Sequence, residues 1–324
     1  MRQYLGKRTI TAVICVMLVL VINFALIRLA PGNPARLLVG TETPSEEQVQ
    51  LITEKYGLDK PLPVQFLRYA GNLLHGDMGV SYYTNEPVST LIAQRLGNTA
   101  LLTLTSLALA VMLGILMSIA CVRRVGGKLD NALTGITYFF DSFPSFWLGL
   151  MLMLVFASVL KLLPYSGMID VRQSYKGFRH VLDVARHMVL PVTTLTVLEL
   201  PYFFRISRSG MIQTLGEDFI ATLRATGMRE GRIFRKYVFR NAILPTVTAV
   251  SIFMAYAVTG SALVEIVFSW PGMGSYIMTS ISRRDYPVLM GIYLMLSLSV
   301  AVVMIAVDLL YAMLDPRVSH RRTA

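Results

Sequence analysis

Six stretches of the chain are apolar over about the length that crosses a lipid bilayer. They lie near residues 9 to 27, 99 to 120, 132 to 160, 188 to 204, 241 to 264 and 288 to 307. This pattern predicts an all-α polytopic membrane protein with six transmembrane helices. The third stretch is too long for one simple crossing, and "DSFPSFWLG" places Pro144 inside it. A proline there removes an N–H and clashes with the preceding turn, so a short first segment should be followed by the span proper. The fifth stretch holds Ala249, Ala255, Ala257, Gly260, Ser261 and Ala262, small residues that let helices approach closely and suit a pore or subunit interface.

The polar segments between these runs organise the chain. Residues 1–27 form a tail and the first span, 28–98 an external cap segment, 99–310 a transmembrane core with a loop at 205–240, and 311–324 a second tail. In the cap, "TPSEEQVQLITEKYG" places Ser45 as an N-cap, acids in the first turn, and Val49, Leu51 and Ile52 before Gly57. That predicts a short helix. A second periodic stretch, "LDKPLPVQFLRYAGNLLHG", starts after Pro61 and Pro63 and ends at Gly71 or Gly76. No internal repeat, heptad run or low-complexity segment is evident. The N-terminal "MRQYLGKR" and the apolar run behind it resemble a secretory signal, but the run is long and no small-x-small cleavage site follows, so it reads as a retained first helix.

Composition sharpens this picture. The 324 residues are 54% hydrophobic and 15% charged, with a formal charge of +11. In a membrane protein that charge is first a matter of topology, because Lys and Arg gather on the cytoplasmic side, and nucleic acid is not the expected partner. With both termini cytoplasmic, the two tails and loops 121–131 and 205–240 hold 17 of the 30 Lys and Arg residues, at more than twice the density of the opposite side. One loop argues against that orientation: residues 161 to 186 carry Lys161, Arg172, Lys176, Arg179 and Arg186 against two aspartates. Cys15 and Cys121 sit in or at the end of apolar runs, so neither implies a disulfide.

The richest cytoplasmic stretch is "EDFIATLRATGMREGRIFRKYVFRNAILP", residues 217 to 245. Thr214 and Glu217 have capping-box spacing, and Phe219, Ile220 and Leu223 then share one helical face. Gly227 permits a tight reversal, and Ile233, Phe234, Tyr237 and Val238 define a second apolar face. The local prediction is helix, glycine turn, helix. On these residues alone, an amphipathic basic loop lying on lipid headgroups is the more ordinary reading.

The stretch resembles the cytoplasmic signature loop of bacterial ABC importer permeases. "FIATLRATGM" followed by "RNAILP" is similar to the dipeptide, oligopeptide and nickel branch, and so, in the same order along the chain, are "RLAPGNPA", "YGLDKPLPVQF", "LLHGDMGVS", "FPSFWLG", "VFSWPGMGSYIMTSISRRDYPV" and "DLLYAMLDPRV". The resemblance implies that the loop between spans four and five forms a coupling helix docking on a cytoplasmic ATPase. It assigns Phe219, Ala221, Leu223, Ala225 and Gly227 to the docking turn and Arg224 and Arg229 to its polar rim. Ala221 stands where the wider superfamily often has Glu, and Arg229 where a small N-capping residue is common. It further implies a subunit of the cell inner membrane working with a second homologous permease, two ATP-binding cassette subunits and an extracytoplasmic solute-binding protein. The solute would be a di- or oligopeptide, with nickel chelates, glutathione and oligosaccharides as alternatives. The chain has no GxxxxGK[ST] phosphate loop, so ATP and Mg belong to the partner ATPases and the subunit carries no cofactor of its own.

Two carboxylates fall in or near the apolar runs, Asp141 beside the Pro144 break and Glu199 nearer mid-span. Intramembrane carboxylates are candidates for the solute pathway, and a charge near a span end also has a structural reading. Both readings stand for both residues. His75, His180 and His187 lack metal-ligand spacing, and "HGDMG" reads as a glycine turn. The glycines of "SWPGMGSY" likewise suggest a tight turn. A secondary transporter would show repeated halves with paired broken helices, and a membrane enzyme a converging constellation of nucleophile, base or metal; neither pattern is present.

Overall fold

A computed structural model describes residues 2–29, 45–57, 59–173, 175–257 and 260–314. Residues 30 to 44 of the predicted cap, with most of "RLAPGNPA", and the tail from residue 315 lie outside the described residues. The described helices are α1 (Arg2–Leu29), α2 (Glu46–Tyr56), α3 (Leu62–Leu74), α4 (Val88–Val122), α5 (Lys128–Asp141), α6 (Ser145–Leu152), α7 (Phe178–Leu215), α8 (Asp218–Ala225), α9 (Glu230–Ile233), α10 (Phe239–Ala242), α11 (Leu244–Ala257), α12 (Ala262–Val267), α13 (Met273–Arg283) and α14 (Tyr286–Leu314). Wider π-helical turns follow α6 over Met153–Val159 and α9 over Phe234–Val238. The remaining pairing among the described residues is an isolated antiparallel bridge between Val80 and Pro87.

The chain forms two compact units, Met1–Asn98 with Gly272–Ala324, and Thr99–Pro271. In the first, α1 packs along α14 and touches α3. Glu46 and Glu47 occupy the first turn of α2, where they face the positive helix end. Pro61 and Pro63 open α3, where a missing N–H costs the helix nothing. The turn after it has positive φ at Gly76 and Gly79, as "HGDMG" predicts. Val88, Leu91 and Ile92 at the start of α4 are buried with Met273, Val288 and Ile292. Asp285 ties the two chain segments of this unit together: Ser81 Oγ donates to it at 2.5 Å and the Tyr82 N–H at 3.1 Å. Ile10, Val13, Ile14, Met17, Leu18, Val21 and Ile22 recur at helical spacing on α1 and all stay exposed, an apolar stripe suited to lipid or a neighbouring helix.

In the second unit, Phe203, Ala249, Leu107 and Ala110 bring α7, α11 and α4 together, while Trp270, Val264 and Phe268 close a core with Leu190, Leu195 and Leu102. The Pro144 break is observed: α5 and the helix that begins at Ser145 meet at 101°, with Pro144 as N-cap of α6.

Three predicted boundaries need correction. Helix α4 starts at Val88 rather than near 99, because its first turns carry the buried apolar face of the first unit. Helix α7 runs well beyond 188 to 204 at both ends and contains Pro191 and Pro201; at about 1.5 Å per residue it is longer than a bilayer core. The fifth run does not stay helical to 264, since α11 ends at Ala257 and α12 begins afresh at Ala262. At Gly260, φ is +70° and a Cβ would meet Glu265 Oε1, so the chain turns there to seat a buried carboxylate. In "SWPGMGSY", the positive φ falls on Ser269, while Gly272 is extended.

Helices α4, α7 and Tyr286–Ala306 of α14 are each long and apolar enough to cross a membrane. Lys128–Asp141 with Ser145–Val159, and Glu230–Ala242 with Leu244–Ala257, add two more if each bent pair crosses as one.

Candidate functional site

The segment leaving α7 folds as helix, glycine turn and helix, but it starts differently from the sequence expectation. Thr214 lies inside α7, its hydroxyl bonded to Gly210 O at 2.8 Å, and Glu217 is the N-cap of α8 without a side-chain bond. The capping box therefore does not form; α7 continues through Leu215 and claims Thr214 for its own last turns. Asp218 supplies the acid of the first turn of α8 instead.

Helix α8 ends in a Schellman motif. The Gly227 N–H donates to Arg224 O at 2.9 Å and the Met228 N–H to Leu223 O at 3.3 Å, the paired bonds that satisfy the last carbonyls of a helix. Gly227 takes φ +77° and a Cβ there would meet nothing within 4 Å. Backbone conformation, not space, selects glycine at this position. Leu223 and Met228 then pack beside the buried trio Ile220, Ile233 and Val238, so α8 folds back on the turn that follows it.

That packing divides the predicted docking residues. Ile220 is buried and Leu223 half-buried, whereas Phe219, Ala221, Arg224, Ala225, Gly227 and Arg229 are exposed. Phe219 is thus on the outer side, with 40% of its surface open, rather than on the inner face with Ile220. Arg224 crosses the turn to Glu230, with N–O separations of 2.8 and 3.4 Å; that carboxylate raises the guanidinium pKa further. Arg229 is the N-cap of α9 by position, without a side-chain bond. The result is a short knob with one aromatic ring, two alanines and a basic rim.

The base of the knob is held to α7. A Cβ on Gly210 would lie 2.7 Å from Ala242 O, so only glycine lets α10 approach so closely. Ser207 and Thr246 share a hydrogen bond of 2.9 Å. Arg208 grips Asp130 with two bonds of 2.6 Å, and the Gly126 N–H reaches the same carboxylate at 2.8 Å. Asp130 is 1% exposed. This pair was not evident in the sequence, although an acid opening an apolar helix and an arginine beyond the predicted end of a span were both visible.

The two candidate pathway carboxylates differ. Asp141 ends α5 and pairs with Arg205 at 2.6 Å, whose guanidinium also lies 5.6 Å from the Tyr138 ring centre. Glu199 lies within α7, half-buried, and its buried Oε2 accepts no hydrogen bond among the described residues. Among the described residues, no hydrogen bond or ion pair joins the two. A third carboxylate, overlooked in the sequence, is Glu265 on α12, which is fully buried and accepts from Thr99 Oγ1 at 2.9 Å.

Residues 89–320 match the family described as binding-protein-dependent transport system inner membrane component, and residues 1–103 match its N-terminal companion. The chain is 34% identical over 321 residues to the oligopeptide transport system permease protein AppB of Bacillus subtilis, covering 99% of this chain and 100% of that one. It is 36% identical over 328 residues to the glutathione transport system permease protein GsiC of Salmonella paratyphi A, with 99% and 100% covered. Identity to the dipeptide transport system permease protein DppB of Escherichia coli is 31% over 318 residues, with 93% and 94% covered. A solved inward-facing structure of the MetNI methionine ABC transporter superposes with a TM-score of 0.54 at 19% identity, over 69% of this chain and 96% of that chain. That likeness concerns the fold.

Proposed function

Because the chain belongs to the family of binding-protein-dependent transport system inner membrane components, we propose that it is the non-catalytic permease subunit of an ATP-driven importer of di- or oligopeptides. It forms half of a translocation pore with a second permease of similar sequence. Two cytoplasmic ATPases drive the pore, and an extracytoplasmic binding protein delivers solute to the cap at 28–98. In this reading the chain crosses the membrane six times, with both termini and the 205–240 loop in the cytoplasm, the side favoured by the distribution of Lys and Arg.

The observation that carries this reading is the exposed knob at Phe219 to Gly227, set in a chain that is similar along nearly all its length to permeases named for peptide transport. Phe219, Ala221 and Ala225 offer a small, partly apolar surface, Arg224 and Arg229 a rim, and Leu223 and Gly227 fix the shape of the turn. A nucleotide-driven movement of the ATPase reaches the spans through this contact, since coupling requires an element that makes different contacts in the two states. The bonds from Arg208 to Asp130 and from Ser207 to Thr246 make the base stiff enough to pass that movement to α7. Glutathione, itself a small peptide, is the second reading, favoured by the similarity to GsiC.

The test is ATP-dependent uptake of labelled peptides, glutathione and nickel chelates into vesicles holding the complete importer. Gly227→Pro is the control, because proline cannot adopt the φ of +77° that closes the turn. Peptide uptake that falls to background in the variant, with all subunits still co-purifying, is the expected result. Uptake that proceeds without ATP would overturn the reading.

A further inference from the structure

Side chains between Lys161 and His187 line an open cavity of about 760 Å³ between the end of the π-helical turn and the first turns of α7, within the ~300–1,000 Å³ common for small-molecule sites. Lys161, Arg172, Arg179 and Arg186 line it. None of the four side chains makes an ion pair among the described residues. Against them the lining sets two carboxylates, Asp170 and Asp183, so positive charge is in excess, and in the proposed orientation topology offers no reason for it, since the loop lies on the side that the positive-inside rule leaves poor in Lys and Arg.

The walls are built. Asp183 accepts the Asp170 N–H at 2.8 Å and lies 3.3 Å from His187 Nδ1, their side chains being 11% and 7% exposed. Asp170 in turn accepts the Arg172 N–H through Oδ1 at 3.0 Å. The Gly167 N–H donates to Phe268 O at 2.8 Å and ties the loop to the end of α12. The lining therefore combines four cations that form no described ion pair with the half-buried carboxylates Asp170 and Asp183, beside aromatic surface from Tyr165 and Tyr175. A phosphate would meet an unfavourable acid here, and a protein surface would be met better by cations on a convex face than by cations around a concavity. A zwitterion with an apolar side chain matches all three features.

Building on the peptide-importer reading and its orientation, we infer that this cavity is an external binding site for a short peptide, in which Arg179 and Arg186 receive the C-terminal carboxylate. Guanidinium groups bind carboxylates through paired, charge-assisted hydrogen bonds, so the contact distinguishes a free carboxylate from its amide.

The test is equilibrium binding of labelled trialanine and of trialanine amide to the assembled permease and ATPase complex, without binding protein, in lipid discs containing phosphatidylcholine and phosphatidylglycerol. The parent complex should prefer the free acid by about ten-fold, and Arg179→Gln with Arg186→Gln should erase that preference. Arg179→Lys with Arg186→Lys should restore part of it. Equal binding of acid and amide by the parent would overturn the inference, as would a preference that survives in the glutamine variant. Loss of phosphatidylglycerol retention with the preference intact would assign the cations to a lipid phosphate and likewise overturn it. ATP-driven uptake by the parent, measured in parallel, tests the importer reading separately: a complex that transports peptide but shows no acid preference sinks this inference alone.

Discussion

The two ends of helix α7 both carry arginines, but they are placed in opposite circumstances. Toward its C-terminus, Arg205 meets Asp141 and Arg208 meets Asp130, each with an N–O separation of 2.6 Å. Toward its N-terminus, Arg179 and Arg186 face a cavity and meet no carboxylate among the described residues. The same side chain therefore serves two purposes. Paired and drawn into the fold, it fixes the helix end that leads into the knob; unpaired beside open space, it is available to a ligand. Glu199 stands between these ends with a buried oxygen that accepts no described hydrogen bond, and it shares the uncommitted character of the N-terminal end.

The comparison breaks most sharply at Asp130. Replacing Asp130 with alanine leaves Arg208 without its acceptor, and losing one partner of a buried pair costs about 3–5 kcal/mol. Arg208 keeps 27% of its side-chain surface exposed, so water can replace part of the bond and the expected loss is near ~3 kcal/mol. It should appear as a lower unfolding midpoint of the purified subunit in detergent. Removing both partners, as Asp130→Leu with Arg208→Met, should recover most of the stability, because no unpaired charge remains. A single variant as stable as the parent would show that Asp130 is not the anchor.

Glu199→Gln sharpens the contrast from the middle of the helix. No described partner is lost, so the subunit should assemble with its partners as the parent does. A pathway role predicts instead an altered preference between peptides bearing and lacking an N-terminal ammonium, by about ten-fold or ~1.4 kcal/mol. The measurement is uptake of trialanine against its N-acetyl form, and an unchanged ratio would remove Glu199 from the pathway.

Local rules made several parts of this structure legible in the sequence. Glu46 and Glu47, the prolines at the start of α3, Pro144 and Gly227 each act within one turn of chain, and the helices or breaks they predict are present. Thr214 shows how a local rule fails: its spacing to Glu217 fits a capping box, but the preceding helix has not ended there. Phe219 shares a nominal face with Ile220, yet α8 is so short that packing of Ile220 on Ile233 settles which side turns outward. The long-range polar contacts, at the base of the knob and elsewhere, were hidden because their partners are far apart in sequence. Arg208 finds Asp130 across 78 residues, and Thr99 finds Glu265 across 166. Periodicity records which residues face inward, not which acid a given arginine will meet.

Asp141 supplies the smallest effect and the finest test of the comparison. Its bond to Arg205 is as short as that of Asp130 to Arg208, yet the side chains of Arg205 and Asp141 remain 35% and 41% exposed. If distance set the energy, the two pairs would be equivalent. Exposure argues otherwise: water stabilises the separated charges, and such pairs contribute about 0–1 kcal/mol. Asp141→Asn should accordingly shift the unfolding midpoint little, with a loss below ~1 kcal/mol that shrinks further as salt is raised. A loss as large as that of Asp130→Ala would mean that this end of α5 is shielded from water in the assembled membrane protein. The pairing at the C-terminal end of α7 would then be one continuous lock rather than a buried anchor with an exposed companion.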